Sequence, residues 1–208
     1  MTNGANNELL AGNPVASKCD SRAVTPRQSI PGQPDMWVFV LFEGFVFTLY
    51  FAAYMFSRTR EFDLFLQSQA QLNLYVGVVN TLLLLVSSWS MARCVQAARE
   101  HRYDAAVNNV LVTIVCGCGF LVAKIIEWTV EVHKGYTLTT NHFFTFYYFL
   151  TGIHLLHLLI GFVFLGVVLH QLRSPQRRSQ QIVETGATYW HMVDFLWVNI
   201  FALLYVLR

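Results

Sequence analysis

Five stretches of this chain are each long enough to cross a bilayer and nearly empty of charge, and they constrain the fold more than any other feature. They cover about 36–57, 72–92, 109–132, 142–172 and 188–207. A hydrocarbon core about 30 Å thick takes roughly 20 helical residues at about 1.5 Å each. Backbone N–H and C=O groups in lipid must find partners within the chain, and a helix satisfies them all within one segment. The chain is 55% apolar and 12% charged over 208 residues, about half the charged share of a typical soluble domain. The reading is an all-α, polytopic membrane bundle with five transmembrane helices over residues 36–208. It forms one domain, because no connection is long enough to hold a soluble one. The fourth stretch is long enough to tilt or to extend beyond the bilayer.

Residues 1–35 differ in kind. They are polar, with Pro14, Pro26, Pro31 and Pro34 among Asn, Ser and Gly, which is the composition of a disordered tail. They lack a long apolar core near the start, so they do not read as a secretory signal peptide. Lys18, Arg22, Arg27, Arg93, Arg99, Arg102, Arg173, Arg177 and Arg178 fall on one side of the spans, and only Arg58, Arg60, Lys134 and Arg208 on the other. The positive-inside rule then places the N-terminus in the cytoplasm and the C-terminus outside. In a bacterium the host would be the plasma membrane. The net charge of +2 mostly reflects topology, and no basic patch interleaved with aromatics points to nucleic acid. Cys19, Cys94, Cys116 and Cys118 form no CxxC pair, and the last two lie about 200° apart on a helix. They read as small packing residues rather than as a disulfide framework or a thiolate metal site.

The informative residues are the ionisable ones at membrane depth: Glu43, Lys124, Glu127, His154, His157, His191 and Asp194, with Glu131 near an interface. Such groups cost a few kcal/mol each in lipid and normally face protein or water. Lys124 and Glu127, His154 and His157, and His191 and Asp194 are each three apart, so each pair shares a helix face. Depth suggests an inner cluster of Glu43, His191 and Asp194, with His157 near it, and an outer one of Lys124 and Glu127, with His154 near it. Within a helix, Lys124 can neutralise Glu127, and Asp194 can hold the imidazole of His191. Two histidines three apart cannot flank one haem, so axial ligands would have to come from separate helices. The repeated Glu-x-x-His of di-iron bundles is absent. Polar contacts between helices account best for the set, with lipid headgroup binding or proton movement as further roles. Gly117, Gly119, Gly152 and Gly161 suggest close helix packing. Neither inverted repeats nor broken helices suggest a transporter.

TGIHLLHLLIG (151–161) and YWHMVDFLWVNIF (189–201) together resemble the subunit III family of haem–copper oxidases. WVFVLFEGFVF (37–47), NTLLLLVSSWSMA (80–92) and GCGFLVAKIIEW (117–128) support the resemblance, which covers about 36–208. The fullest members of that family have seven helices. Five resembles its short forms: quinol-oxidase subunit III, bacterial aa3-type subunit III, and the accessory protein encoded with nitric oxide reductases. Lys124 stands where oxidase members carry glutamine. With SQAQLN (68–73), that lysine inclines the resemblance towards the nitric-oxide-reductase branch.

The resemblance implies a non-redox accessory subunit of a respiratory complex, with neither a catalytic residue nor a cofactor or metal of its own. Haem and copper would reside in a catalytic partner subunit that reduces oxygen, using cytochrome c or quinol, or else nitric oxide. This chain would pack against that partner and other subunits, hold lipid, and sustain proton delivery and turnover stability. Glu43, Glu127, His154, His157, His191 and Asp194 occupy the family's polar positions. A stand-alone membrane cytochrome and an assembly factor that leaves the finished complex are the other readings.

Overall fold

The computed structural model describes residues 34 to 207 apart from 175 and 177. Six helices follow one another: α1 (Pro34–Arg60), α2 (Phe62–Gln69), α3 (Leu74–Arg99), α4 (Tyr103–His133), α5 (His142–Arg173) and α6 (Gln180–Phe201). A π-helical turn over Ala202–Val206 continues α6. Among the described residues, five helices are long and apolar enough to span a membrane, α2 being the exception. The chain is a multi-pass membrane protein. Most of the expected tail, with Cys19, lies outside the described residues; its last two positions, Pro34 and Asp35, already belong to α1.

The helices outrun the apolar stretches. The expectation began the third span at 109 and the fifth at 188, whereas α4 starts at Tyr103 and α6 at Gln180. Hydropathy marks where lipid ends, but backbone hydrogen bonding continues into water wherever a polar turn is held. The first turns of α6 are held by Glu184, which accepts from Arg99 Nε and Nη2 at 3.0 and 2.8 Å. The short α2 also escaped the sequence reading. It is fastened to the start of α5, where Asn141 Nδ2 donates to Ser68 Oγ at 2.9 Å.

Caps set the element ends. Asn73 Oδ1 accepts from the Tyr75 N–H, and Asn141 Oδ1 from the Phe144 N–H, each satisfying an orphan donor of a helix's first turn. At the end of α4, Gly135 takes φ +88°. The amides of Tyr136 and Gly135 donate to the carbonyls of Glu131 and Val132, the paired bonds of a Schellman ending. α3 ends likewise with His101 at φ 58°, a conformation that glycine adopts more readily.

α6 is the hub. It packs against α3, α5 and α1, while α4 lies mainly against α3 and α5. Trp190 of α6 shows how this is achieved. A Cβ on Gly117 or on Gly161 would stand 3.0 Å from its ring, so both glycines provide its seat. Its Nε1 donates to Ser87 Oγ of α3 at 2.7 Å. One indole thus joins α3, α4, α5 and α6. The other two glycines expected at close approaches, Gly119 and Gly152, would each meet their nearest neighbour at an ordinary 3.6 Å. α1 is the loosest element, with 6% of its apolar window buried against 56% for the last span.

Candidate functional site

The ionisable residues do not gather into the two clusters expected from depth; they divide into three places with different chemistry. The most enclosed is between α4, α5 and the π-helical turn. Lys124 is fully buried. Its Nζ donates to Glu127 Oε2 at 3.2 Å, to Tyr147 Oη at 3.2 Å and to Tyr205 Oη at 2.9 Å. Tyr147 and Tyr205 in turn donate to Glu127 Oε1. The ammonium also faces the rings of Tyr147, Trp197 and Tyr205 at 4.7, 5.1 and 5.4 Å. All three ammonium hydrogens thus have partners, and Glu127 receives three donors, which is what a charge pair needs to survive burial.

His154 was expected near this cluster, and the indole of Trp197 lies against both its imidazole and the Lys124 ammonium. The imidazole is fully buried, with Phe120 edge-on at 5.6 Å and Trp197 at 5.2 Å. Neither of its nitrogens has a hydrogen-bond partner among the described residues. His157, one turn away, turns to another side and faces α1. Its Nε2 lies 3.4 Å from Glu43 Oε2, and the edge of Phe47 covers it at 5.8 Å. His157 Nδ1 is 2.9 Å from the Ile153 carbonyl; a carbonyl only accepts, so Nδ1 carries a hydrogen. The carboxyl group of Glu43 and the imidazole of His157 therefore face each other across the contact between α1 and α5.

The third place corrects the expected pairing of Asp194 with His191. His191 Nδ1 instead meets Ser88 Oγ of α3 at 2.7 Å. Asp194 is 4% exposed. Ser88 lies beside it as a hydrogen-bonding side chain, and both carboxylate oxygens are shut off from the surface. Residues three apart on a helix are about 60° apart around the axis, enough to aim one at a neighbouring hydroxyl and tuck the other behind it. The grouping of Glu43 with His191 and Asp194 is thus not what forms: Glu43 belongs with His157.

Sequence reasoning missed Tyr147, Tyr205 and Ser88. Tyr147 lies in the aromatic run NHFFTFYYF (141–149), yet it stands seven residues before His154 on the same helix face, a signal that could have singled it out. Tyr205 is in the last four residues, where nothing in the spacing marks it. As for ligands, no group of three His, Cys, Asp or Glu close enough to hold a metal ion occurs among the described residues. Cys94 is buried, Cys116 half-buried and Cys118 exposed, and all three are free.

An arrangement of buried polar contacts joining helices, with His154 and His157 of α5 enclosed, is that of a packed scaffold. The sequence profile of the cytochrome c oxidase subunit III family matches residues 32–208. The chain belongs to that family. Among subunit III relatives, the quinol oxidase subunit 3 of Bacillus subtilis strain 168 is 29% identical over 196 residues, covering 90% of this chain and 94% of that protein. The cytochrome c oxidase subunit 3 of Synechocystis sp. is 34% identical over 185 residues, covering 85% and 78%. A heme-copper oxidase subunit I+III of Aeropyrum pernix is 26% identical over 179 residues, which is 82% of this chain but 22% of that longer protein. These relatives are oxidase subunits, and none of them supports the nitric-oxide-reductase branch.

Proposed function

We propose that this chain is the non-redox subunit III of a haem–copper oxidase, stabilising the catalytic subunit and supporting its proton uptake in a bacterial plasma membrane. The observation that carries the reading is the family match across all five spans. Haem and copper belong to the partner in this reading, which reduces oxygen with electrons from cytochrome c or quinol. The Aeropyrum relative, named as subunit I+III in one polypeptide, supports direct association with the catalytic subunit.

Two further features fit. The Glu43–His157 pair places two titratable groups side by side near the middle of the bundle, on the side that the Lys and Arg count would make cytoplasmic, a suitable relay for uptake. A groove of about 630 Å³ between α1 and α6, lined among others by Trp37, Leu41, Phe45 and Phe195, suits a lipid chain.

Purification through a tag on the catalytic subunit tests the proposal. The chain is expected to co-purify stoichiometrically. A complex lacking it should keep its metal-centre spectra but lose activity progressively during turnover, and Glu43→Gln should slow proton uptake. Sustained activity without the chain, or haem absorbance that stays with this chain after separation, would overturn the reading.

A further inference from the structure

Asp194 stands behind two side chains that lead outward. Its carboxylate oxygens are shut off from the surface, and Ser88 of α3 is the hydrogen-bonding side chain beside it. The same Ser88 Oγ lies 2.7 Å from His191 Nδ1. His191 is half-buried and lines two grooves, one between α1 and α6 and one between α3 and α6. The second has a volume of about 300 Å³ and is also lined by Gln96, Arg99 and Glu184, which give water the polar partners it needs. It lies towards the end that the Lys and Arg count would make cytoplasmic.

A hydroxyl carries one hydrogen and can accept another, and a neutral imidazole has one donor and one acceptor nitrogen. While the imidazole is neutral, these limits give the hydrogen-bonded chain two arrangements. With Asp194 ionised, Ser88 donates to the carboxylate, so His191 Nδ1–H donates to Ser88 Oγ and Nε2 keeps its lone pair. With Asp194 protonated, the carboxyl donates to Ser88, Ser88 donates to Nδ1, and the imidazole hydrogen sits on Nε2. One proton separates the two.

We propose that His191, Ser88 and Asp194 form a proton wire that takes a proton from the α3/α6 groove and stores it on the buried carboxyl. The proton binds Nε2, and the Nδ1–H bond breaks as its hydrogen passes to Ser88 Oγ. The former hydroxyl hydrogen of Ser88 then passes to Asp194. The imidazole and the hydroxyl end neutral, as they began, and the charge of the carboxylate is cancelled. A carboxylate buried at membrane depth beside one neutral donor is costly, and the delivered proton removes that cost. The other ionisable groups nearby are engaged elsewhere: Arg99 with Glu184 at 2.8 Å, Glu43 of α1 with His157 of α5, and Lys124 with Glu127 on α4. His191 is the titratable group left to face the grooves. The wire deepens the proposed support of proton uptake, and rests on that reading only for where the proton goes next.

Infrared difference spectroscopy between acid and alkaline buffer tests the wire, on the full-length chain purified with its bound partners through a tag on the chain itself. The protonated-carboxyl band that Asp194→Asn removes reports the stored proton, and the shift of that band in deuterated water gives its exchange rate. In Ser88→Ala and in His191→Phe, exchange is expected to slow at least about tenfold, because the proton then waits for the helices to part locally. Ser88→Thr keeps a hydroxyl in place and should exchange as the parent does. A carboxyl region that Asp194→Asn leaves unchanged at every pH, or parent-like exchange in either Ser88→Ala or His191→Phe, would overturn the wire. Neither result touches the subunit reading, which fails instead if the chain is missing from a complex tagged on its catalytic subunit.

Discussion

Replacing Lys124 by methionine removes the cation and leaves a side chain of similar length. Lys124 is wholly buried and Glu127 is 6% exposed, so water screens the pair little. Stranding one member of a buried ion pair costs about 3–5 kcal/mol. Glu127 retains the hydroxyls of Tyr147 and Tyr205 as donors, which places this part at about 3 kcal/mol. Loss of the cation's contacts with the rings of Tyr147, Trp197 and Tyr205 adds about 1 kcal/mol. The expected destabilisation is then about 4 kcal/mol.

Glu127→Leu should cost at least as much, because it strands the ammonium and removes the acceptor of two phenols. The double variant Lys124→Met/Glu127→Leu strands no charge, and apolar replacement of both members of a buried pair is often close to neutral. It should therefore be less destabilised than the sum of the single variants by about 3 kcal/mol or more. Reversible unfolding by sodium dodecyl sulfate in mixed micelles, followed by tryptophan fluorescence, measures all four forms. Single variants that each cost under about 0.5 kcal/mol and simply add would refute the reading of a water-excluded cluster.

Two glycine substitutions should separate cleanly in the same titration. A Cβ on Gly186 would stand 2.6 Å from Val168 Cγ2, whereas one on Gly152 would stand 3.6 Å from Trp128. Gly186→Ala should therefore cost about 1–3 kcal/mol by overpacking, while Gly152→Ala should be neutral or gain up to about 1 kcal/mol of helix propensity. Asn141→Ala removes both the cap of α5 and the bond to Ser68. It should cost about 1 kcal/mol and accelerate amide exchange across Phe62–Gln69; unchanged exchange there would show that α2 is held by other contacts.

Family membership and the five spans were legible because they depend on local properties: twenty-residue apolar runs, and short polar-in-apolar motifs such as WHMVD. The Lys124–Glu127 pair was legible for the same reason, since both members lie on one turn of one helix. What failed was the pairing of His191 with Asp194, which needed to know which helix is next to α6. His154 and His157 differ by one turn, yet one meets the rings of Phe120 and Trp197 and the other Glu43 of α1. His191 passes over Asp194 for Ser88, 103 positions away in the chain. Depth along the membrane normal can be estimated from sequence, but rotation about each helix axis cannot, and at about 100° per residue rotation decides the partner.

The amino-acid sequence by itself determined that this chain crosses the bilayer on five helices, because lipid offers a backbone no other partner and long apolar runs have no other use. It also determined that a set of charged residues must be turned away from hydrocarbon. Only the tertiary structure decided where they turn: Tyr205, brought inward by a π-helical turn, completes the Lys124 cluster; Gly117 and Gly161 seat Trp190; Glu43 is given to His157. Those choices follow from the packing of large rings against glycines between helices distant in sequence. Such packing is a property of the assembled bundle, and no single segment contains it.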